Sequence, residues 1–364
     1  MIAEQQVEWI SPPSETLKRI KRSEPEAFST LLAVGRERNV DIPGLLSNQI
    51  KITENIAMML EEFIGSTQSF WLERTRQYEA QLDSRASEVD EAWVSTFGGG
   101  GILAYLDQPY ARSEYGESDT AKILNYFAAA TSEQIDRLYV AKASTTDFHK
   151  SSAFEAKPKA LALWLRSIEH GAACMPTSST YQKNALKGEL DAIRALARRK
   201  HVNQFFPQLR ELLATVGVRL VYRPRPPKCP VAGALIHRPG DLPIIGVSFR
   251  RMTDDQFWFT FFHELGHLLD DDQNRDDVHI ISDDIIGRED WADEFAKSLL
   301  FGPDFSARLS KVRHTKRDVI RFALKERLTP GTVVGQLQRQ GLIKQSWMNG
   351  LKETYSAEML EKFV

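Results

Sequence analysis

Cysteine is scarce in this sequence, and several features that would assign the chain to a particular class are missing. Only Cys174 and Cys229 occur among 364 residues, which argues against a disulfide framework and fits a reducing compartment. No segment reaches 18 uninterrupted apolar residues, the length that predicts a membrane-spanning helix. The first residues contain no basic region followed by an apolar run, so we expect no secretory signal. The sequence therefore predicts a cytoplasmic protein with no membrane partner.

The charge balance gives no support for a nucleic-acid-binding protein, and the glycine pattern argues against a phosphate-binding loop. The chain carries 47 Lys and Arg against 49 Asp and Glu, a net charge of −2, which gives no global reason to expect a nucleic-acid partner. The glycine run at 98–101 is not followed by the Lys and Ser or Thr of a phosphate-binding loop, so we interpret it as a flexible loop. With 42% hydrophobic and 26% charged residues, the chain has the composition of a globular protein with two or three domains.

The most informative segment is 258–269, which contains a His-Glu-x-x-His motif in an apolar run. On a helix, His263 and His267 lie one turn apart on the same face, so their ring nitrogens can bind one metal ion. Glu264 lies beside them, where it can act on a water molecule as general base. The motif therefore predicts a zinc site. The alternative interpretation is a buried helix whose two histidines only form hydrogen bonds.

The residues before the motif predict where its helix begins. Thr253 is placed to cap the helix, and Gln256 is placed to close a capping box. Asp254 and Asp255 would interact favourably with the positive helix N-terminus.

A catalytic tetrahedral zinc site needs a third protein ligand and one open position. The candidate is Glu289, which shares a helical face with Asp293 and with two alanines whose small side chains allow two helices to approach closely, Ala292 and Ala296. Asp293 can accept a hydrogen bond from the free ring nitrogen of a ligating histidine and fix its tautomer. Two other sources of a ligand stay open: the acidic run 270–272 and His279.

The N-terminal part of the chain, from 9 to 79, has the pattern of a compact set of helices. It resembles the XRE-type helix-turn-helix domains of HigA-like antitoxins in these residues: Ile52-Thr53, Ala57, Leu60, Phe70-Trp71-Leu72 and Tyr78-Glu79. The resemblance implies that four residues lie at or near the end of the groove-reading helix: Ser47, Asn48, Gln49 and Lys51. Residues 1–60 hold seven Lys or Arg against eight Asp or Glu, so DNA binding and a role as a dimerisation or partner-docking bundle both stay open.

A second resemblance is carried by motifs between residues 217 and 338. Its motifs are Gly217-Val218 before a strand, Phe257-Trp258-Phe259-Thr260 before the His-Glu-x-x-His motif, the run Glu289-x-x-Ala292-Asp293-x-Phe295-Ala296, and the segment 329–338. Together they resemble the ImmA/IrrE family of zinc metallopeptidases, and 329–338 resembles the C-terminal helix pair found when such a peptidase is fused to a HigA-like domain. One departure is Phe301-Gly302-Pro303, where the family more often has Met-Pro or Ile-Pro.

The resemblance implies a zinc ion held by His263, His267 and Glu289, with Glu264 as general base. It also implies a cytoplasmic transcriptional repressor or antitoxin-type regulator as the protein partner. The donor that would stabilise the transition-state oxyanion stays open among three residues: Tyr222, His237 and His279.

Three strand-like runs at 218–222, 232–237 and 244–249, with a hairpin signal at 238–241 between the second and the third, predict a short β-meander beside the motif helix. A peptide could bind by adding its backbone to an exposed edge of this sheet. The most basic part of the chain is 308–344, with ten Lys or Arg against two Asp or Glu. This region could contact nucleic acid or an acidic partner surface, or it could form a solvated helix face.

These patterns predict an α+β protein, mostly α, with a zincin-like domain. The expected domains are a helix-turn-helix domain at 1–85, a helical connector at 86–180 and a metallopeptidase domain with basic C-terminal helices at 181–364. The predicted function is that of a zinc-dependent endopeptidase that cleaves a cytoplasmic regulatory protein. The alternative is a DNA-binding regulator or antitoxin whose metal site is structural or sensory, and a homodimer is compatible with either.

Overall fold

The computed structural model of the chain describes residues 11–85, 93, 101–140, 156–173, 175–176, 180–227, 229–238, 240–249, 253–270, 278–282 and 290–364. The chain divides into two compact units, one formed by Met1–Cys174 with Pro226–Cys229 and the other by Met175–Arg225 with Pro230–Val364. The glycine run at 98–101 has only its last residue among the described ones. No helix in the described ranges is long and apolar enough to cross a membrane.

The first unit is built from helices, and the part of it that the structure describes contains no strand. The helices are α1 (Pro13–Ser23), α2 (Pro25–Glu37), α3 (Ile42–Leu46), α4 (Glu54–Ile64), α5 (Gln68–Arg85), α6 (Gly101–Leu106), α7 (Asp119–Phe127), α8 (Ser132–Ile135), which a π-helical turn continues over Asp136–Val140, and α9 (Ala156–Ala173). Gly65 ends α4 with φ 81°, a left-handed conformation that glycine adopts without steric strain. The core of the first five helices includes Leu31, Leu60 and Trp71, each fully buried.

The second unit combines helices with a small sheet, so the chain as a whole is α+β and mostly α, as the sequence predicts. Its elements are α10 (Lys183–Gly188), α11 (Leu190–Leu196), α12 (Val202–Thr215), β1 (Arg219–Tyr222), β2 (Val231–Ile236), β3 (Ile244–Val247), α13 (Asp254–Leu269), β4 (Val278–Ser282), α14 (Asp290–Phe301), α15 (Phe305–Leu309), α16 (Lys316–Glu326), α17 (Pro330–Arg339), a 3₁₀ turn (Asn349–Leu351) and α18 (Ala357–Glu361).

The strand order in the sheet is β1-β3-β2-β4, with β1 parallel to β3 and β2 antiparallel to both β3 and β4. The predicted β2–β3 hairpin is confirmed, since Ile236 lies opposite Ile244. The predicted meander is wrong, because β1 and β2 are not neighbours. Strand β1 pairs with β3 instead, and the sequence that connects β1 to β2 is rich in proline, which has no N–H group to donate to a hairpin ladder. The fourth strand, β4, was not among the predicted strands.

The central element of the second unit is α13. Every residue from Phe257 to Leu269 is buried except His267, which is half-buried. A helix that is enclosed on nearly all sides must be apolar on nearly all sides, and this explains the density of aromatic residues in the segment. Strand β2 is buried at every position and packs against α13. The polar side chains of α13 are therefore held in a largely water-free setting.

Candidate metal centre

The two histidines of the motif converge near the C-terminal end of α13. Their Nε2 atoms are 3.0 Å apart, His263 is 1% exposed and His267 is half-buried. Two imidazole nitrogens bound to one tetrahedral zinc ion, at about 2.0 to 2.1 Å each, would lie about 3.3 Å apart. The pair therefore fits a shared zinc ion with little movement. The same separation fits a direct hydrogen bond between the two rings.

The tautomer of His263 is set by Asp293, which lies on α14. His263 Nδ1 is 2.9 Å from Asp293 Oδ1, and both side chains are buried. An ionised carboxylate only accepts hydrogen bonds, so Nδ1 must carry the proton and donate it to Oδ1. A neutral His263 then has a lone pair on Nε2, the atom that faces His267, and this is the form that binds a metal ion.

Asp293 has a second partner, Arg339 at the end of α17. The Arg339 Nη2 atom is 2.8 Å from Asp293 Oδ2, so each carboxylate oxygen has its own donor. Burial acts to raise the pKa of Asp293, but the hydrogen bond from His263 and the charge of Arg339 outweigh burial and hold that pKa below its usual value. The carboxylate therefore stays ionised, as its acceptor role requires.

Glu264 is fully buried, and its carboxylate lies against the backbone of β2. A Cβ atom added at Gly233 would be 3.2 Å from Glu264 Oε1 and 2.6 Å from Thr260 Cγ2. The absence of a side chain at Gly233 is thus what leaves room for the Glu264 carboxylate between α13 and the sheet. A carboxylate in such a setting interacts strongly with any charge placed beside it.

Helices α13 and α14 approach closely through small residues. A Cβ atom at Gly266 would be 3.4 Å from Ala292 Cα and 3.1 Å from a ring carbon of Phe295. Ala292 and Ala296 are buried, which confirms the prediction that small residues of this segment line a helix contact. The face of α14 that carries Asp293 is therefore turned toward the histidines.

The predicted third ligand, Glu289, immediately precedes α14 and lies outside the described residues, as do 271 and 272 of the rival acidic run. Within the described ranges, no group of three or more His, Cys, Asp and Glu side chains is placed to hold a metal ion. The other rival ligand, His279, lies on β4 opposite Leu235. The donor types that the structure brings together, two imidazoles with a carboxylate behind one of them, are those of zinc sites.

The start of α13 differs from the prediction. Thr253 occupies the N-cap position, but its side chain makes no capping hydrogen bond within the described structure, so the predicted capping box does not form. The next two residues are buried instead and bind the C-terminal segment: Asp254 Oδ2 accepts from Thr329 Oγ1 at 2.5 Å, and Asp255 Oδ2 is 2.7 Å from Lys352 Nζ. Burial raises the pKa of Asp254 to about 6, although the Thr329 hydrogen bond lowers it.

Two of the four residues predicted to contact DNA are buried in the first unit. Ser47 and Asn48 are each 3% exposed, and the Asn48 amide donates to the Tyr78 hydroxyl at 3.1 Å and also to Asn125. A groove-reading side chain must be able to reach base edges or phosphates, whereas Ser47 and Asn48 take part in hydrogen bonds inside the first unit, which argues against base contacts by these two residues. The helix before them, α3, has only five residues.

Gln49 and Lys51 are the more exposed members of that group, and both have partners in the first unit. The Gln49 amide donates to the carbonyl of Arg112 at 3.2 Å, and Lys51 forms an ion pair with Glu79.

Of the candidate oxyanion donors, Tyr222 is buried in the apolar core of the second unit, and His237 is exposed with its ring 5.7 Å from that of Tyr181.

Two residues of the site were not predicted from the sequence: Arg339, which contacts Asp293, and Gly233, which lies against Glu264. The periodicity of 329–338 places Arg339 at the end of a helix, but no local pattern says which carboxylate it meets.

A scan of the chain against models of known protein families gives no match, and a search of curated proteins gives none either.

Proposed function

We propose that the chain is a zinc-dependent endopeptidase. The observation that carries the proposal is the pair of His263 and His267 Nε2 atoms, 3.0 Å apart, with the tautomer of His263 set by Asp293. In this proposal Glu289 supplies the third ligand, because the helix that it precedes is packed against the histidine helix. His267 is the more exposed histidine, so a substrate approaches from its side.

The proposed reaction is hydrolysis of a peptide bond. When bound, zinc supplies Lewis-acid chemistry, which polarises the scissile carbonyl and lowers the pKa of a water molecule. Glu264 takes the proton of the attacking water and delivers it to the nitrogen of the breaking C–N bond. The backbone of Gly233 lies against the Glu264 carboxylate, and this close contact limits the positions from which the carboxylate can accept the proton.

The proposed substrate is a cytoplasmic regulatory protein, such as a transcriptional repressor or an antitoxin-type regulator. This part of the proposal rests on the resemblance of the motifs to the ImmA/IrrE family. Proteins that become shorter in cells expressing the unaltered chain, but not in cells expressing Glu264→Gln, would be identified by mass spectrometry of their new termini.

Metal content and activity of matched variants test the proposed chemistry. Glu264→Gln preserves side-chain size and the three proposed ligands, so zinc content should remain near one per chain while the rate falls about 10²- to 10⁴-fold. His263→Ala should lower zinc content and activity together. If Glu264→Gln is as active in cells as the unaltered chain while His263→Ala is inactive, the metal serves structure or sensing and the chain is not a peptidase.

The rival function is that of a DNA-binding regulator or antitoxin with a structural or sensory metal site. Its support is the helix-turn-helix resemblance of the first unit, and the burial of Ser47 and Asn48 weakens it. Binding to the chain's own promoter region, measured at several salt concentrations, separates the two functions, because DNA binding by cationic side chains weakens steeply with salt. Lys51→Gln, which removes a cation near the predicted groove-reading helix, should weaken such binding.

A further inference from the structure

Helix α17 is the last helix of the basic region 308–344, and its Arg339 side chain contacts the candidate metal centre. Arg339 ends α17, and its Nη2 atom is 2.8 Å from Asp293 Oδ2. Its guanidinium carbon is 4.2 Å from the centroid of the Phe259 ring, which belongs to the same helix as His263. Because Asp293 Oδ1 binds His263 Nδ1, Arg339, Asp293 and His263 form a continuous line of contacts from α17 through α14 to α13.

The path of α17 is fixed at its other end by close packing against the start of α13. Gly331 and Gly335 lie one turn apart, and a Cβ atom at either would overlap the carboxylate of Asp254 or of Asp255. The Thr329 hydroxyl donates to Asp254 at 2.5 Å. The two helices therefore run side by side, and this alignment brings Arg339 to the level of Phe259 and His263.

We infer that Arg339 is a positioning residue for the metal centre: it holds the Asp293 carboxylate in the orientation that accepts the hydrogen bond of His263 Nδ1, so that the ring presents the lone pair of Nε2 as a zinc ligand. This inference rests on the proposed function. The Arg339 side chain is 29% exposed while that of Asp293 is 3% exposed, so the cation reaches from the surface to a buried carboxylate. The Phe259 ring lies under the guanidinium and restricts it by a cation–π contact.

The physical argument concerns the two oxygens of Asp293. With both oxygens bound, rotation of the carboxylate about its Cβ–Cγ bond breaks two charge-assisted hydrogen bonds at once. Without Arg339 only the bond to His263 opposes that rotation, and the buried negative charge loses its cation. The His263 ring is then less well oriented, and partners of metal-ligating histidines contribute about 10- to 100-fold to metal affinity.

A simpler role would be that Arg339 only fastens α17 to α14. A fastening residue changes the melting temperature of the metal-free protein but leaves the zinc affinity of the folded protein unchanged. A positioning residue changes zinc affinity, and it does so through Asp293. The two roles are therefore separable by measuring both quantities on the same variants.

The experiment uses the full chain and zinc alone. Arg339→Met retains the stem that packs on Phe259 and removes the charge and the donors, and Arg339→Gln is a second variant in case the first does not fold. Arg339→Lys retains the positive charge but not the guanidinium geometry. Arg321→Gln is the control, since Arg321 forms an exposed pair with Asp318 on α16. Zinc affinity is measured by competition with a chromophoric chelator, and the melting temperature of each metal-free protein is recorded.

The expected result is a zinc affinity lower by about 10-fold for Arg339→Met or Arg339→Gln, a smaller loss for Arg339→Lys, and no change for Arg321→Gln. Combined with Asp293→Asn, the Arg339 substitution should add no further loss, because its effect passes through Asp293. Zinc affinity within twofold of the unaltered chain, or losses that add fully in the double variant, would overturn the role of Arg339. An unaltered chain that binds no zinc would instead overturn the proposed function, and the inference with it.

Discussion

The buried carboxylate of Asp254 should make the stability of the second unit depend on pH in a defined window. Asp254 is 1% exposed, and burial, together with the neighbouring charge of Asp255, raises its pKa from 3.8 to about 6. Well below pH 4 the residue is protonated in both the folded and the unfolded chain. Between about pH 4 and pH 6 the folded chain retains a proton that the unfolded chain has lost, so the free energy of unfolding falls as pH rises.

The size of this effect follows from the two pKa values. They differ by about two pH units, and each unit corresponds to about 1.4 kcal/mol, so the ionised carboxylate destabilises the folded chain by about 3 kcal/mol at neutral pH. Asp254→Asn removes the titration and retains the shape. Its carbonyl can accept from the backbone N–H of Glu353, as Asp254 Oδ1 does at 3.2 Å, and its NH₂ group can donate to the Thr329 hydroxyl.

The assay is chemical denaturation of the unaltered chain and of Asp254→Asn between pH 4 and pH 7.5, followed by circular dichroism. The difference in stability between the two proteins cancels the titration of all other groups. We expect this difference to shift by about 2 to 2.5 kcal/mol in favour of the variant as pH rises from 4 to 7, because part of the full effect is already present at pH 4. Asp191→Asn, on the exposed first turn of α11, should show no such shift. A difference that does not vary with pH would refute the argument.

Three further substitutions, with Gly188→Ala as a control, test contacts at the start of α13 and at the candidate metal centre. Gly331→Ala should destabilise the chain by about 1 to 3 kcal/mol because the new methyl overlaps the Asp254 carboxylate, whereas Gly188→Ala, with nothing within 4 Å, should be neutral or stabilising in thermal denaturation. Gly233→Ala should displace Glu264 and lower peptidase activity at unchanged zinc content; full activity would show that the carboxylate does not depend on that space. Asp293→Asn should weaken zinc affinity by about 10- to 100-fold in a chelator competition, and an unchanged affinity would contradict its role in fixing the tautomer.

The helix that carries the His-Glu-x-x-His motif, and the face of α14 that packs against it, could be predicted because the sequence patterns that indicate them are local. One helical turn separates His263 from His267, and the same spacing relates Ala292 to Ala296 on the face of α14 that meets α13. Turn signals likewise predicted the β2–β3 hairpin. The order of the sheet could not be predicted in this way, because strand pairing depends on contacts between residues distant in the chain, and short buried strands have no alternation that distinguishes one neighbour from another.

The sequence by itself determined the α+β class, the position of the histidine motif on a helix, and the small residues through which two helices approach, since each depends on period and side-chain size. Only the tertiary structure decided the partners of polar side chains. It turned Ser47 and Asn48 inward, where their hydrogen bonds are made within the first unit. It buried Asp254 against α17 in place of a capping box, and it brought Arg339 to Asp293. Charged and polar side chains have long reach and many eligible partners, so packing of the apolar elements selects the partner that each one meets.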